Sequence, residues 1–300
     1  MRATVSAAAL LWAVSAGAQT IVLSGPLAGA PTVGRAHNPA ALVSNALVLP
    51  SGAMELGSEL AFLTSGRNSE GRKLDFTDVG LLGLRARRAL GTRVELFAST
   101  ELLVKQRSDM HERFWQGGLL GMRLPFGGHF ATDLVGSGGP LMGRAGFWWG
   151  FEPGLLGKFE IDRYTRFQLG LFDTFTQLEL DAPATQPFFV NELGARVQLQ
   201  AGDYTGGGWI GFDYHVPVAS SPDRTAPDAA TGLFLDPPVR LGVQVGGVVV
   251  LDEWTLSAIF TLVDRGELEH PETTLPILDG GFDQTQTTFG VLRRFGTQPD

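Results

Sequence analysis

The chain of 300 residues contains no cysteine. That excludes disulfide frameworks, thiolate metal sites, cysteine nucleophiles and the acylated cysteine of a lipoprotein. Charge is also scarce: 18% of the residues are charged and the formal net charge is −8. A general nucleic-acid binder is thereby excluded, because a phosphate-seeking surface is basic. Beyond the N-terminus no uninterrupted apolar run reaches the roughly 20 residues that a membrane-crossing helix needs. No phosphate-binding Gly-rich loop occurs either, and Gly206-Gly207-Gly208 and Gly280-Gly281 read as turn material. What is abundant is Gly, at 40, and Phe, at 20, a composition that suits a β protein with close strand contacts and much exposed apolar surface.

The first residues read as an export signal. Arg2 gives a positive start, Ala7 to Val14 a short apolar core, and Ala16-Gly17-Ala18 a small-residue cleavage site before Gln19. Residues 1–18 are therefore expected to be a cleaved signal peptide, and residues 19–52, rich in Ala, Gly and Pro, an irregular periplasmic or lumen-entering segment.

From residue 53 the pattern changes to alternation. In the stretch Leu81 to Lys105, Val94, Leu96, Ala98, Thr100, Leu102 and Val104 share one face, while Arg93, Glu95, Phe97, Ser99, Glu101, Leu103 and Lys105 share the other. On the preceding arm Leu82, Leu84 and Ala86 oppose Leu81, Gly83, Arg85 and Arg87. The same two-faced pattern recurs, without helices, at about 53–64, 114–124, 129–136, 143–160, 166–178, 189–201, 207–216, 239–250, 254–264 and 283–295. Pro153 suggests a bulge or bend in the strand beginning near Gly143. With both arms of the hairpin the count is twelve, within bounds of ten to fourteen. Connections alternate between tight turns and longer polar loops, the longest at Ala219 to Pro237. The predicted fold is all-β: an antiparallel transmembrane barrel over 53–295 with a short tail at 296–300, apolar faces toward lipid and charges toward a lumen, short turns on the periplasmic side and longer loops outside. Trp115, Trp149, Tyr214 and Trp254 suit the aromatic girdles of such a barrel.

Two local stretches resemble known outer-membrane proteins. His37-Asn38-Pro39-Ala40-Ala41-Leu42 resembles the Asn-Pro-Ala stretch that precedes the barrel in FadL-type transporters of hydrophobic compounds; an ordinary Asx-Pro turn is the other reading. Phe289, Val291 and Phe295 resemble the aromatic-ended terminal strand that outer-membrane barrels present to their assembly machinery, with Arg293 and the trailing Gly296 to Asp300 as departures.

The hairpin's register follows in part from parity. If Arg85, Arg87, Arg93 and Glu95 share a face, facing residues sum to an even number, which selects a three-residue turn, Ala89-Leu90-Gly91, with Gly91 left-handed. Arg85 would then face Glu95, and Arg87 would face Arg93, a like-charge pair in need of diagonal Glu95, another carboxylate or an anion. The expected inward charges are Glu55, Glu59, Arg85, Arg87, Arg93, Glu95, Glu101, Arg123, Asp133, Arg144, Glu192, Arg196, Asp213, Arg240 and Arg294. They could set a transverse field that filters solutes, or simply pair and solvate a narrow interior. Of the five histidines, His215 stands out at the rim because it shares a face with Asp213, as a general-base pair would. No metal site or cofactor is indicated. The expected function is an outer-membrane pore or transporter for small solutes, whose partners are outer-membrane lipid, the barrel-assembly machinery and the solute; the alternatives are a non-transporting structural or surface-interaction barrel and an outer-membrane hydrolase.

Overall fold

The structure, a computed structural model, describes residues 47–49, 51–65, 74–106, 108, 113–141, 146–162, 164–181, 184–203, 205–223, 225–235, 237, 239–265 and 284–296. The expected signal peptide, the Asn-Pro-Ala stretch and Arg144 lie outside them.

Alternating side chains make each segment a strand, and no segment can bury both faces alone, so the strands close on one another. The strands are β1 (Met54–Ser65), β2 (Leu74–Leu90), β3 (Val94–Lys105), β4 (Trp115–Phe126), β5 (Phe130–Pro140), β6 (Gly146–Asp162), β7 (Thr165–Leu180), β8 (Phe188–Asp203), β9 (Gly206–Ser221), β10 (Arg240–Leu251), β11 (Trp254–Arg265) and β12 (Gln284–Phe295). Each pairs antiparallel with its sequence neighbours, and β12 pairs with β1 to close a twelve-stranded barrel. The ladder runs unbroken from Met54↔Phe295 to Ser65↔Gln284 at the closure. Closure matters energetically because an open edge in hydrocarbon would leave a row of unpaired N–H and C=O groups. The twelve expected strands are all present. By the strand limits, the connections run 8, 3, 9, 3, 5, 2, 7, 2, 18, 2 and 18 residues, so one end of the barrel carries tight turns and the other long loops.

Outward positions are apolar and exposed, among them Leu60, Leu120, Leu171, Leu193, Leu199, Val245 and Phe260. Aromatic residues gather toward the two ends of this band. Phe130 contacts Phe126 and Phe159 near the tight-turn end, while Trp115 contacts Phe147, and Phe175 contacts Trp149 and Phe189, near the other. On β6, Trp149 and Phe159 are ten residues apart. At about 3.4 Å per residue and a tilt of about 40°, the girdles stand roughly 26 Å apart, the height of an outer-membrane apolar band. The barrel is therefore transmembrane in architecture. Trp115, Trp149, Tyr214 and Trp254 all face outward.

The structure corrects two local expectations. Pro153 produces no register shift: Phe151↔Phe175 and Gly154↔Phe172 keep the same frame on either side of it. The β2–β3 hairpin does have a three-residue turn, but the turn is Gly91-Thr92-Arg93, with Gly91 at φ +72°. Parity fixes the evenness of the register and leaves its centre free, and the centre lies two residues later than expected. Arg87 thus faces Phe97, Arg85 faces Ser99, and Arg93 is exposed in the turn.

Candidate functional site

The candidate site is the lumen. Long inward side chains, charged or aromatic, lie over glycines that make room for them. Trp209, for example, lies over Gly246, where a Cβ would come within 2.0 Å of the indole.

Over β1 to β5, charge is met by charge. Glu55 accepts from Arg294 Nε at 3.0 Å and lies 3.3 Å from Arg87 Nη1. Arg87 in turn donates from Nε and Nη2 to Glu95 at 3.0 and 2.9 Å. Arg85 pairs with Glu59. Arg123 grips Asp133 with Nε and Nη2 at 2.7 and 2.8 Å, a bidentate fork. The expected Arg85–Glu95 and Arg87–Arg93 pairs do not form; Glu95 answers Arg87 diagonally, and Arg93 leaves the inward set for the turn. Glu101 faces inward from β3, half-buried, and its Oε2 has no hydrogen-bond partner.

The same wall holds a short strap of the chain ahead of β1. The Leu49 N–H donates to Glu95 Oε2 at 2.7 Å, and Arg123 Nη1 donates to the Leu47 carbonyl at 3.0 Å. Leu49 is buried against Ala53 and Ala89, whereas Leu47 rests on Ala131, Leu156 and Phe172. Within three residues the backbone thus passes from the β1–β3 side of the lumen to the β5–β7 side. Two residues expected to line the lumen, Glu95 and Arg123, spend part of their hydrogen-bonding capacity on this strap. The segment ahead of β1 was expected to be periplasmic or lumen-entering, and Leu47 to Leu49 take the second course; which side chains hold them could not be read, because Leu47-Val48-Leu49 carries no periodicity.

Between β8 and β10, Arg196 pairs with Asp213, and Arg240 Nη2 lies 2.5 Å from Glu192. Asp213 therefore serves Arg196 rather than His215. His215 packs over Gly194, and its Nδ1 has no hydrogen-bond partner. A general base needs an orienting acceptor, so the expected His215–Asp213 pair is not assembled. No group of three or more metal-ligating side chains occurs among the described residues.

Three further inward charges were not among the candidates: Glu152, which accepts from Thr174 Oγ1 at 2.9 Å, Lys158 and Arg166. Lys158 and Arg166 are 3% and 5% exposed and lie on the β6–β8 wall among Gln168, Gln198 and Gln200. The alternation that places Glu152 inward continues past Pro153 and would have found Lys158.

At the long-loop end the inward face turns apolar. Ala61, Leu63, Val79, Leu81 and Leu103 form one cluster, and Leu141, Trp148, Leu178, Phe188 and Val190 another, which Leu235 of the β9–β10 loop joins. That loop is pinned to the β7–β8 loop by Asp228, whose carboxylate accepts from the Thr185 N–H at 2.6 Å, the Thr231 N–H at 2.9 Å and both hydroxyls. The Thr185 hydroxyl, then the Thr231 hydroxyl and these amides, hold Asp228 well below the usual carboxylate range.

A closed barrel of antiparallel strands, apolar outside and charged within, is an outer-membrane fold. An outer membrane channel from Pseudomonas putida F1 shares it with a TM-score of 0.53 and 11% identity, over 83% of this chain and 97% of that one. The KdgM porin is similar with a TM-score of 0.45 and 10% identity, over 81% and 99%. A deltaS2S3 mutant of the TodX monoaromatic hydrocarbon channel follows at 0.42 and 10%, over 87% and 93%. At these identities the likeness is one of fold. No protein-family model and no curated protein sequence matches the chain.

Proposed function

We propose that the protein is a pore or transporter for small solutes in a bacterial outer membrane, with the tight turns toward the periplasm, the long loops outside and outer-membrane lipid around the apolar band. The observation that carries this reading is the inward face, which charged, amide and hydroxyl side chains line from the turn end to mid-height, the kind of lining that sets solute selectivity in a pore. The strap at Leu47 to Leu49 narrows the passage from the periplasmic side, which fits a lumen-entering role for the segment ahead of β1. The outward apolar residues of β12, Phe289, Val291 and the terminal Phe295, fit recognition by the assembly machinery.

Planar-bilayer recording of the purified, heat-modifiable barrel tests the reading. Discrete conductance steps are expected; a folded barrel that never opens a step would leave a structural or surface role as the better account.

A further inference from the structure

Two arginines break the apolar outward face near the tight-turn end. Arg88 shares the exposed face of β2 with Leu84 and Leu90, opposite the buried Arg85 and Arg87. Arg293 interrupts the outward face of β12 between Val291 and Phe295. The two flank the seam where the barrel closes: Arg88 faces Met54 of β1, and Arg293 faces Leu56 of the same strand.

The registers set their separation. Met54 also faces Phe295, so from Phe295 Arg88 stands two strands across and Arg293 two residues along. Steps of about 4.8 Å across and about 3.4 Å along put the two Cα atoms roughly 12 Å apart. The rung that leaves Met54 at the turn end of β1 passes Arg88, Leu96, Met122 and Leu134 and reaches Pro153, well up β6, so rungs climb toward the loop end with strand number. At a tilt of about 40°, two strand steps raise Arg88 about 6 Å above Phe295, and two residues raise Arg293 about 5 Å. The arginines therefore stand side by side at one height, with Met54 and Leu56 as an apolar floor between them. Trp254, which faces Arg293, marks that height as the aromatic belt, where lipid headgroups begin.

Arg293 is held in place: its guanidinium lies 5.1 Å from the Trp254 ring and 4.9 Å from the Phe295 ring, and Nη2 donates to Glu253 at 2.6 Å. Its Nε has no hydrogen-bond partner. The Arg88 side chain has neither an ion pair nor a hydrogen bond among the described residues. Two guanidiniums against one carboxylate leave one positive charge, which matches the single negative charge of a phosphodiester, the group that the guanidinium fork suits best. Both arms are long enough to converge on one phosphate over the Met54–Leu56 floor. Toward the middle of the band the same face continues as exposed Leu60, Leu84 and Phe289, a bed for acyl chains.

We propose that Arg88 and Arg293 grip the phosphate of one glycerophospholipid, with its acyl chains on Leu60, Leu84 and Phe289, and that this lipid staples β12 to β2 across the closure. The site rests on the proposed orientation for the leaflet it faces, the periplasmic one, and not on passage through the lumen.

Native mass spectrometry of the folded full-length barrel in detergent tests the site with two probes that share their acyl chains: dioleoylphosphatidylglycerol, and dioleoylglycerol, which lacks the phosphate. One phosphatidylglycerol is expected to stay bound and dioleoylglycerol to leave. Arg88→Gln removes no side-chain contact within the protein, so it should keep the heat-modifiable fold and weaken phosphatidylglycerol retention at least about tenfold, the scale of one lost charge-assisted hydrogen bond. Arg88→Gln/Arg293→Gln should abolish retention, whereas Arg93→Gln, in the neighbouring turn, should leave it unchanged. By linkage, phosphatidylglycerol should also raise the temperature at which the wild-type barrel loses its folded gel mobility, and raise it less for Arg88→Gln. Equal retention of the two probes, undiminished retention by Arg88→Gln, or a loss from Arg93→Gln as large as that from Arg88→Gln overturns the site. Lipid A that displaces the phosphatidylglycerol overturns the choice of lipid and leaflet. None of these measurements reads conductance, so a failed site leaves the pore reading standing, and a barrel that holds the phosphate without conducting keeps the site and overturns the pore.

Discussion

The two halves of the barrel wall use inward charge differently. From β1 to β5 every arginine described on the inward face lies against a carboxylate, in the chain Glu55–Arg87–Glu95, which Arg294 of the adjoining β12 extends, and in the pairs Arg85–Glu59 and Arg123–Asp133. From β6 to β12, Arg196–Asp213 and Arg240–Glu192 pair in the same way, but glutamines and threonines take many of the other inward positions, and Lys158 has a half-exposed Glu160 at 4.0 Å. Burial is similar, since Arg123 and Lys158 are each 3% exposed. What separates them is the partner across the ladder: Asp133 faces Arg123, whereas Gln168 faces Lys158. The paired wall is committed to itself and to the strap; the other wall carries more neutral hydrogen-bonding groups.

Cutting one partner from each wall breaks the comparison most severely. Asp133→Ala leaves Arg123 buried without its fork, and by the usual cost of orphaning a buried charge it should lower unfolding stability by about 3–5 kcal/mol in urea titrations. On the other wall, Gln198→Leu removes one neutral hydrogen bond and should cost about 1 kcal/mol or less. Equal losses would mean that the two walls do not differ in kind.

Outside both walls, Leu171→Arg puts a guanidinium on the lipid face of β7 and should cost about 2–4 kcal/mol in the same titration performed in bilayers. A neutral result would place Leu171 away from the hydrocarbon.

A smaller effect is expected at Gly246. Gly246→Val forces Trp209 off its seat, at about 1–3 kcal/mol for overpacking. The indole fluorescence should shift with it, and an unshifted spectrum would show that Trp209 does not lean over that glycine.

The loops should respond least, and only to acid. Asp228 is held below its ordinary carboxylate range by the donors that pin the β9–β10 loop to the β7–β8 loop. A depressed carboxylate stabilises above its unfolded pKa, about 3.9, and that stability is lost as pH falls through the lower folded value. Limited proteolysis of these loops should therefore be unchanged from neutrality to about pH 4 and rise only below it, while Asp228→Ala should show the rise at neutral pH.

Much of this architecture was legible in the sequence, for a definite reason. A strand with one face toward lipid and one toward polar groups writes its period directly into the residues, so Glu55 and Glu59, or Glu192 and Arg196, could be placed inward without knowing any neighbour. Pairing was harder, because parity is invariant to sliding a hairpin by two residues. The expected turn and the observed Gly91-Thr92-Arg93 turn are equally even, and both leave Glu95 diagonal to Arg87, yet only the observed one puts Arg93 in the turn and removes the like-charge pair. Asp213 illustrates the same limit across strands: its neighbour in sequence is His215, but its partner is Arg196 on β8. Facing pairs such as Gln168 and Gln198 were invisible because they exist only once the registers are known. A lumen-entering course for the segment ahead of β1 was one expected alternative, but the partners of the strap were invisible because nothing in Leu47 to Leu49 alternates.

The strap joins the two walls, so it carries the central claim that this lumen is a passage narrowed from the turn end. Single-channel conductance of wild type beside Leu47→Asp/Leu49→Asp tests it most directly, since both side chains lie inside the barrel without belonging to its wall. Discrete steps from wild type, and larger steps from the variant with the same heat-modifiable fold, are the predicted result. A wild type that never opens, or identical steps from the two proteins, would contradict it.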